Sequence, residues 1–175
     1  MTPRSIEPPA IEPRVGAATD EQLAALREAM LLHAQNEVDA AIAAAETLVE
    51  SVPDFCEAHS YLGNTLVTRR RRFADGLAAL ERAAALCPRD AGILYTLGWC
   101  REFVANALER PRVRHQPVEQ DAATLYALTT EVMLRALDCD PEPGLRGDIE
   151  DILDVVAKAT GIPWDEEHES GGVDA

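Results

Sequence analysis

Two prolines and two glycines constrain this chain more than anything else in it. Gly63 follows Pro53 by ten residues and Gly98 follows Pro88 by ten, so the pair recurs with a period of 35. A leucine precedes each glycine, in "YLGN" and "TLGW". Small and apolar residues hold fixed offsets ahead of each proline: Ala41, Ala45, Leu48 and Pro53; then Gly76, Leu80, Ala83 and Pro88; then Thr129, Met133, Ala136 and Pro141. Steps of four and three place the first three of each set on one helix face. The proline stops that helix, because it has no amide hydrogen to donate and its ring collides with the preceding turn. A repeating unit of this length cannot bury its apolar face alone and must stack on its neighbours.

The remaining sequence reads the same way. Leu23, Leu26, Met30 and Ala34 follow helical spacing, as do Val38, Ile42, Ala45 and Leu48, and no segment alternates as a strand would. Thr19 and Gln22 stand at capping-box spacing where order begins. "AQNE", "VPD", "CPRD" and "DPEPG" mark turns, and connections this short imply antiparallel helical hairpins. Residues 1–18, with Pro3, Pro8, Pro9 and Pro13, predict an extended tail. The acidic end, 165–175, predicts another.

This pattern resembles the tetratricopeptide repeat, in which a leucine-glycine pair in a first helix is followed by alanine, a large apolar residue and a closing proline in the second. The resemblance covers about residues 20 to 142. It implies an all-α, right-handed superhelical stack of three hairpins, at 19–53, 54–89 and 90–142. His59 and Leu94 stand where the family favours tryptophan, Leu66 and Arg101 where it favours tyrosine, and the first repeat has Glu28-Ala29 in place of leucine-glycine. Beyond Pro141, Leu145, Ile149, Ile152, Leu153 and Val156 share one helical face and charges take the other, as a capping helix at 143–164 requires. Trp164 is placed to fold back onto it.

The third unit is longer. Gly98 to Thr129 spans 31 residues where Gly63 to Gly76 spans 13. The pattern stays helical to Arg110 and resumes at Val118, so both helices are expected to run about two turns beyond the usual length; a mobile loop of the same 18 residues is the alternative.

Composition limits function more than it specifies it. Asp and Glu number 31 against 16 Lys and Arg, a net charge of -15, which disfavours duplex nucleic acid and anionic membrane as partners. The N-terminal stretch lacks the apolar run of a signal peptide, and a cytoplasmic location is expected. Cys56, Cys87, Cys100 and Cys139 form no C-x-x-C pair, and His33, His59, His115 and His168 are single and far apart. Four reduced structural thiols are expected, with no metal and no cofactor. No serine or cysteine has a base in a recognisable motif and no glycine-rich phosphate loop occurs, so no catalytic residue is assigned and an enzyme is not expected.

The resemblance places a concave groove along the first helices. Its inner side would present Leu23, Leu26, Met30 and His33; then Glu57, Ser60, Asn64 and Val67; then Tyr95, Trp99 and Phe103. The last three, four apart, make one aromatic stripe that is either groove or core of the third hairpin. Lysines, asparagines and arginines with which one branch of the family clamps a carboxylate are replaced here by Leu26, Met30, Tyr61, Gly92 and Thr96, so that mode is excluded. Arg69, Arg70, Arg71 and Arg72 fall where a first helix ends. They either complement its dipole or offer guanidiniums to an acidic protein partner. The leading expectation is a binding module that holds an apolar peptide or helix of another protein as scaffold, adaptor or dedicated chaperone; the alternative is a homo-oligomeric structural protein.

Overall fold

The computed structural model describes residues 16–165. Seven helices follow in order: α1 (Asp20–Ala34), α2 (Val38–Ser51), α3 (Cys56–Arg70), α4 (Phe73–Leu86), α5 (Ala91–Glu109), α6 (Ala122–Asp138) and α7 (Pro143–Thr160). No strand occurs among the described residues. The expected tails fall mostly on 1–15 and 166–175, outside the described residues.

The helices pair as α1 with α2, α3 with α4 and α5 with α6, and successive pairs stack through α2 on α3 and α4 on α5. Thr19 and Gln22 close a full capping box at the start of α1, each side chain accepting from the other's backbone amide. This satisfies two amides that the first turn leaves free. Within each pair the small residues set the distance. A Cβ added to Gly63 would lie 2.6 Å from Leu80 Cγ, and one added to Gly98 would lie 2.6 Å from Met133 Cε. Ala41, Gly76 and Thr129, aligned by the repeat, are all buried. Thr129 donates its hydroxyl to Leu125 O at 2.8 Å and reaches Gly98 O at 3.4 Å, so a polar side chain is tolerated at a fully buried contact. The positions lacking the family's tryptophan and tyrosine are filled differently: Leu94 and Leu66 are buried, while His59 bonds to Pro53 O through Nε2 at 3.0 Å.

The long third unit departs from expectation. α5 has 19 residues against 15 in α3, and α6 has 17 against 14 in α4, about one extra turn each and not two. The remainder, residues 110–121, is neither helix nor detached loop. Gln116 donates its backbone N–H to Arg71 O at 2.9 Å; its side chain accepts from Asp75 N–H at 3.0 Å and donates to Asp75 Oδ1 at 3.1 Å. The segment thereby supplies a partner to the first turn of α4, whose Ncap Arg72 makes no side-chain cap bond. His115 stacks on Phe73 with ring centroids 4.8 Å apart.

A second correction concerns the cysteines. Cys56 and Cys87 form a disulfide, with Cα atoms 6.2 Å apart, while Cys100 and Cys139 are free. Cys56 opens α3 and Cys87 follows the end of α4, and an antiparallel hairpin brings those two ends together.

α7 closes the stack against α6 and α5, burying Ile149, Leu153 and Val156. It ends on Gly161 in the left-handed conformation, φ 71°, and Trp164 returns to donate its indole N–H to Asp154 at 2.7 Å.

Candidate functional site: the face of α1, α3 and α5

An open cavity of about 480 Å³ lies where the first helices of the three hairpins converge. α1 contributes Leu26, Met30 and His33, spaced by one turn each. α3 contributes Glu57, Ser60, Tyr61, Asn64 and Thr65, and α5 with its N-cap contributes Asp90, Gly92, Ile93 and Thr96. Of the residues selected on sequence, Leu26, Met30, His33, Glu57, Ser60 and Asn64 are therefore brought together, while Leu23 does not line the cavity. Tyr61, Gly92 and Thr96, which replace the carboxylate-clamping side chains, line the same cavity.

The wall is held by its own hydrogen bonds. Tyr61 donates its hydroxyl to Ala29 O at 3.1 Å, with His33 Nδ1 3.4 Å away, and so ties α3 to α1. Burial raises the Tyr61 phenol above its usual pKa. Thr65 and Thr96 donate to backbone carbonyls one turn back, at 2.9 and 2.8 Å. Asn64 accepts from Thr68 at 3.3 Å, and its amide nitrogen donates to nothing among the described residues. Asp90 accepts from Ile93 N–H at 3.0 Å as the cap of α5. The lining is apolar at Leu26, Met30 and Ile93 and acidic at Glu57 and Asp90. Met30 is 49% exposed.

Val67 does not belong to this surface. It is fully buried, and a Cβ on Gly76 would stand 2.6 Å from its Cγ2, so it faces α4 inside the hairpin. Nor does the aromatic stripe join the cavity. The 35-residue offset carries Glu57, Ser60 and Asn64 onto Gly92, Tyr95 and Trp99, but α7 packs against α5. Tyr95 is half-buried, its phenol raised by that burial first and then by the Asp148 and Asp151 carboxylates of α7. Trp99 stacks on Phe103 at 5.8 Å, and Phe103 meets Phe73 edge-on at 6.2 Å. All three pack against the largest apolar cluster.

The four arginines part company. Arg69 reaches Asn36 Oδ1 at 3.4 Å, and Arg70 pairs with Asp39 at 2.8 Å, whose carboxyl it holds below the usual range. Arg72 pairs with Asp75 at 2.8 Å and Glu46 at 3.5 Å. Asp75 is lowered chiefly by the Gln116 amide and then by Arg72. Arg71 lies over Phe73 and Phe103, its carbon Cζ 5.3 and 5.7 Å from the ring centroids. Thr65, Asp90 and Ile93 were missed on sequence. Asp90 was legible as a helix cap, but a cap position does not say which surface it borders.

Burial pushes the Cys100 thiol up to about 12, so it stays protonated. No cluster of three or more His, Cys, Asp or Glu that could hold a metal occurs among the described residues, and no helix there is long and apolar enough to cross a membrane.

Neither protein-family models nor curated protein sequences match this chain. Among solved structures, the tetratricopeptide-repeat domain of Sgt2 from Aspergillus fumigatus superposes with a TM-score of 0.59 at 14% identity, over 89% of this chain and 88% of that one. At that identity the likeness speaks to fold. Period, paired helices, glycine contacts and this superposition agree: the chain has the tetratricopeptide-repeat fold.

Proposed function

We propose that this protein is a non-catalytic protein-interaction module, a scaffold, adaptor or dedicated chaperone that receives a peptide or helix of a partner in the α1, α3 and α5 groove. The observation that carries the reading is the convergence of Leu26, Met30, His33, Ser60 and Asn64, from separate helices, on one open cavity of about 480 Å³. Leu26, Met30 and Ile93 offer apolar contact, and the unengaged amide nitrogen of Asn64 offers a donor to a peptide carbonyl. Glu57, Asp90 and a net charge of -15 favour an apolar segment with basic flanks over an acidic one.

The test is a partner captured with the full chain and then challenged with Met30→Asp and Asn64→Asp. Loss of the partner at unchanged melting temperature, with slowed amide exchange along α1, α3 and α5 in the wild-type complex, is expected. A partner that stays bound to both variants, or protects only other helices, overturns the reading. Self-assembly is separated by sedimentation across a dilution series, since a monomer at every concentration excludes it.

A further inference from the structure

A second cavity, of about 420 Å³, opens at the turn between α3 and α4 and shares no lining residue with the groove. Arg71 forms one wall, Glu102 and Phe103 of α5 another, and Arg110, Arg112 and Val113 of the long connection a third. Arg71 is the residue that turns the chain, at φ 51° in the left-handed region that side chains other than glycine rarely adopt. Its guanidinium is laid over two aromatic rings, and its Nε is buried without a hydrogen-bond acceptor. Among the described residues no hydrogen bond or ion pair engages its terminal nitrogens, whereas Arg70 and Arg72 on either side are paired. Arg110 and Arg112 likewise form no ion pair among the described residues.

The balance of charge around this cavity is therefore three guanidiniums against one carboxyl. A cation packed against two rings, with a buried unsatisfied Nε and no ion pair among the described residues, gains from an anion because its field there is less screened than in open water. We infer that this cavity is a carboxylate-binding site, taking an acidic side chain or a chain-end carboxylate of a partner protein. Arginine stacked on rings presents its edge as the planar fork that a carboxylate matches with two parallel hydrogen bonds. Phe103 and Val113, the latter 55% exposed, cover the hydrocarbon beside that group. The apolar wall of Phe103 and Val113 favours a carboxylate carried on hydrocarbon over a bare phosphate ion, which has no apolar part to cover. The site is independent of the groove.

Arginine Nε–H resonances of the ¹⁵N-labelled full chain are followed while adding a blocked acetyl-Leu-Glu-Leu-amide, its Gln counterpart, the Gln peptide with a free C-terminus, or inorganic phosphate. The Arg71 signal, assigned through Arg71→Lys, is expected to shift saturably with the Glu peptide, the free-end peptide or both, which tells a side chain from a chain end. The blocked Gln peptide leaves it unmoved. Arg112→Ala, at an exposed position, is expected to weaken binding about tenfold or more without changing the melting temperature. An equal response to blocked Gln, no response to either acid, undiminished binding in Arg112→Ala, or tighter binding of phosphate than of either acid would each overturn the assignment.

Discussion

Gly63 and Gly76 meet backbone to backbone across the second hairpin: a Cβ on Gly63 would stand 2.7 Å from the Gly76 carbonyl oxygen, and one on Gly76 2.8 Å from that of Gly63. At Gly98 the obstruction is softer, because the nearest atom is the flexible end of Met133, at 2.6 Å. Gly63→Ala is therefore expected to cost about 1–3 kcal/mol or more, since backbone must yield, against a gain of about 1 kcal/mol in helix propensity. Gly98→Ala is expected to cost less. Denaturant unfolding of both variants checks the order, and equal costs would mean that the backbone contact is not limiting.

Cys56 and Cys87 are 31 residues apart, so their bond removes loop entropy from the unfolded chain equivalent to about 3–4 kcal/mol. Reduction, or the Cys56→Ser and Cys87→Ser double variant, is expected to lower the melting temperature and leave the helical circular-dichroism signal intact. Alkylation before and after reduction, read by mass spectrometry, identifies the bonded pair and should leave Cys100 slow to react in the folded chain.

His59 carries the pH dependence near neutrality. Burial first, and the nearby Arg82 charge last, lower its folded pKa, while the bond to Pro53 O opposes them. The unfolded chain therefore binds the proton more readily, and the stability associated with neutral His59 is present above the unfolded value of about 6.5 and is lost as pH falls through it toward the lower folded pKa. Melting between pH 7.5 and 5.5 should fall more in the wild type than in His59→Gln. Parallel profiles would assign the effect elsewhere.

Met30 and Trp99, both selected as groove residues, are expected to behave oppositely. Met30 is half exposed at the cavity, so Met30→Ala should change stability by less than about 0.5 kcal/mol and reduce partner binding. Trp99 is stacked on Phe103 and packed against the core, so Trp99→Ala should cost about 2 kcal/mol. Thermal unfolding and partner titration on the same two variants separate the roles.

Much of the fold was legible from period alone. Spacing records which face of a helix its own hairpin buries, and this is why Ala41, Gly76 and Thr129, the capping box at Thr19, and the apolar face of α7 could all be read from residue order. Leu26, Met30 and His33 of α1 and Glu57, Ser60 and Asn64 of α3, which line the cavity, followed from the same spacing. What only the tertiary structure decided is which neighbour covers a face left open. Tyr95, Trp99 and Phe103 have the spacing of a groove stripe, but α7 comes beside Tyr95, Trp99 stacks on Phe103, and Phe103 lies against Phe73 and Arg71. Val67 has the spacing of a groove residue too, but it shares the face of Gly63 and packs against Gly76 of α4. Cys56 and Cys87, and Gln116 on Asp75, meet across 31 and 41 residues of chain. Local periodicity is set by backbone geometry within one helix, whereas these contacts depend on the packing of separate elements.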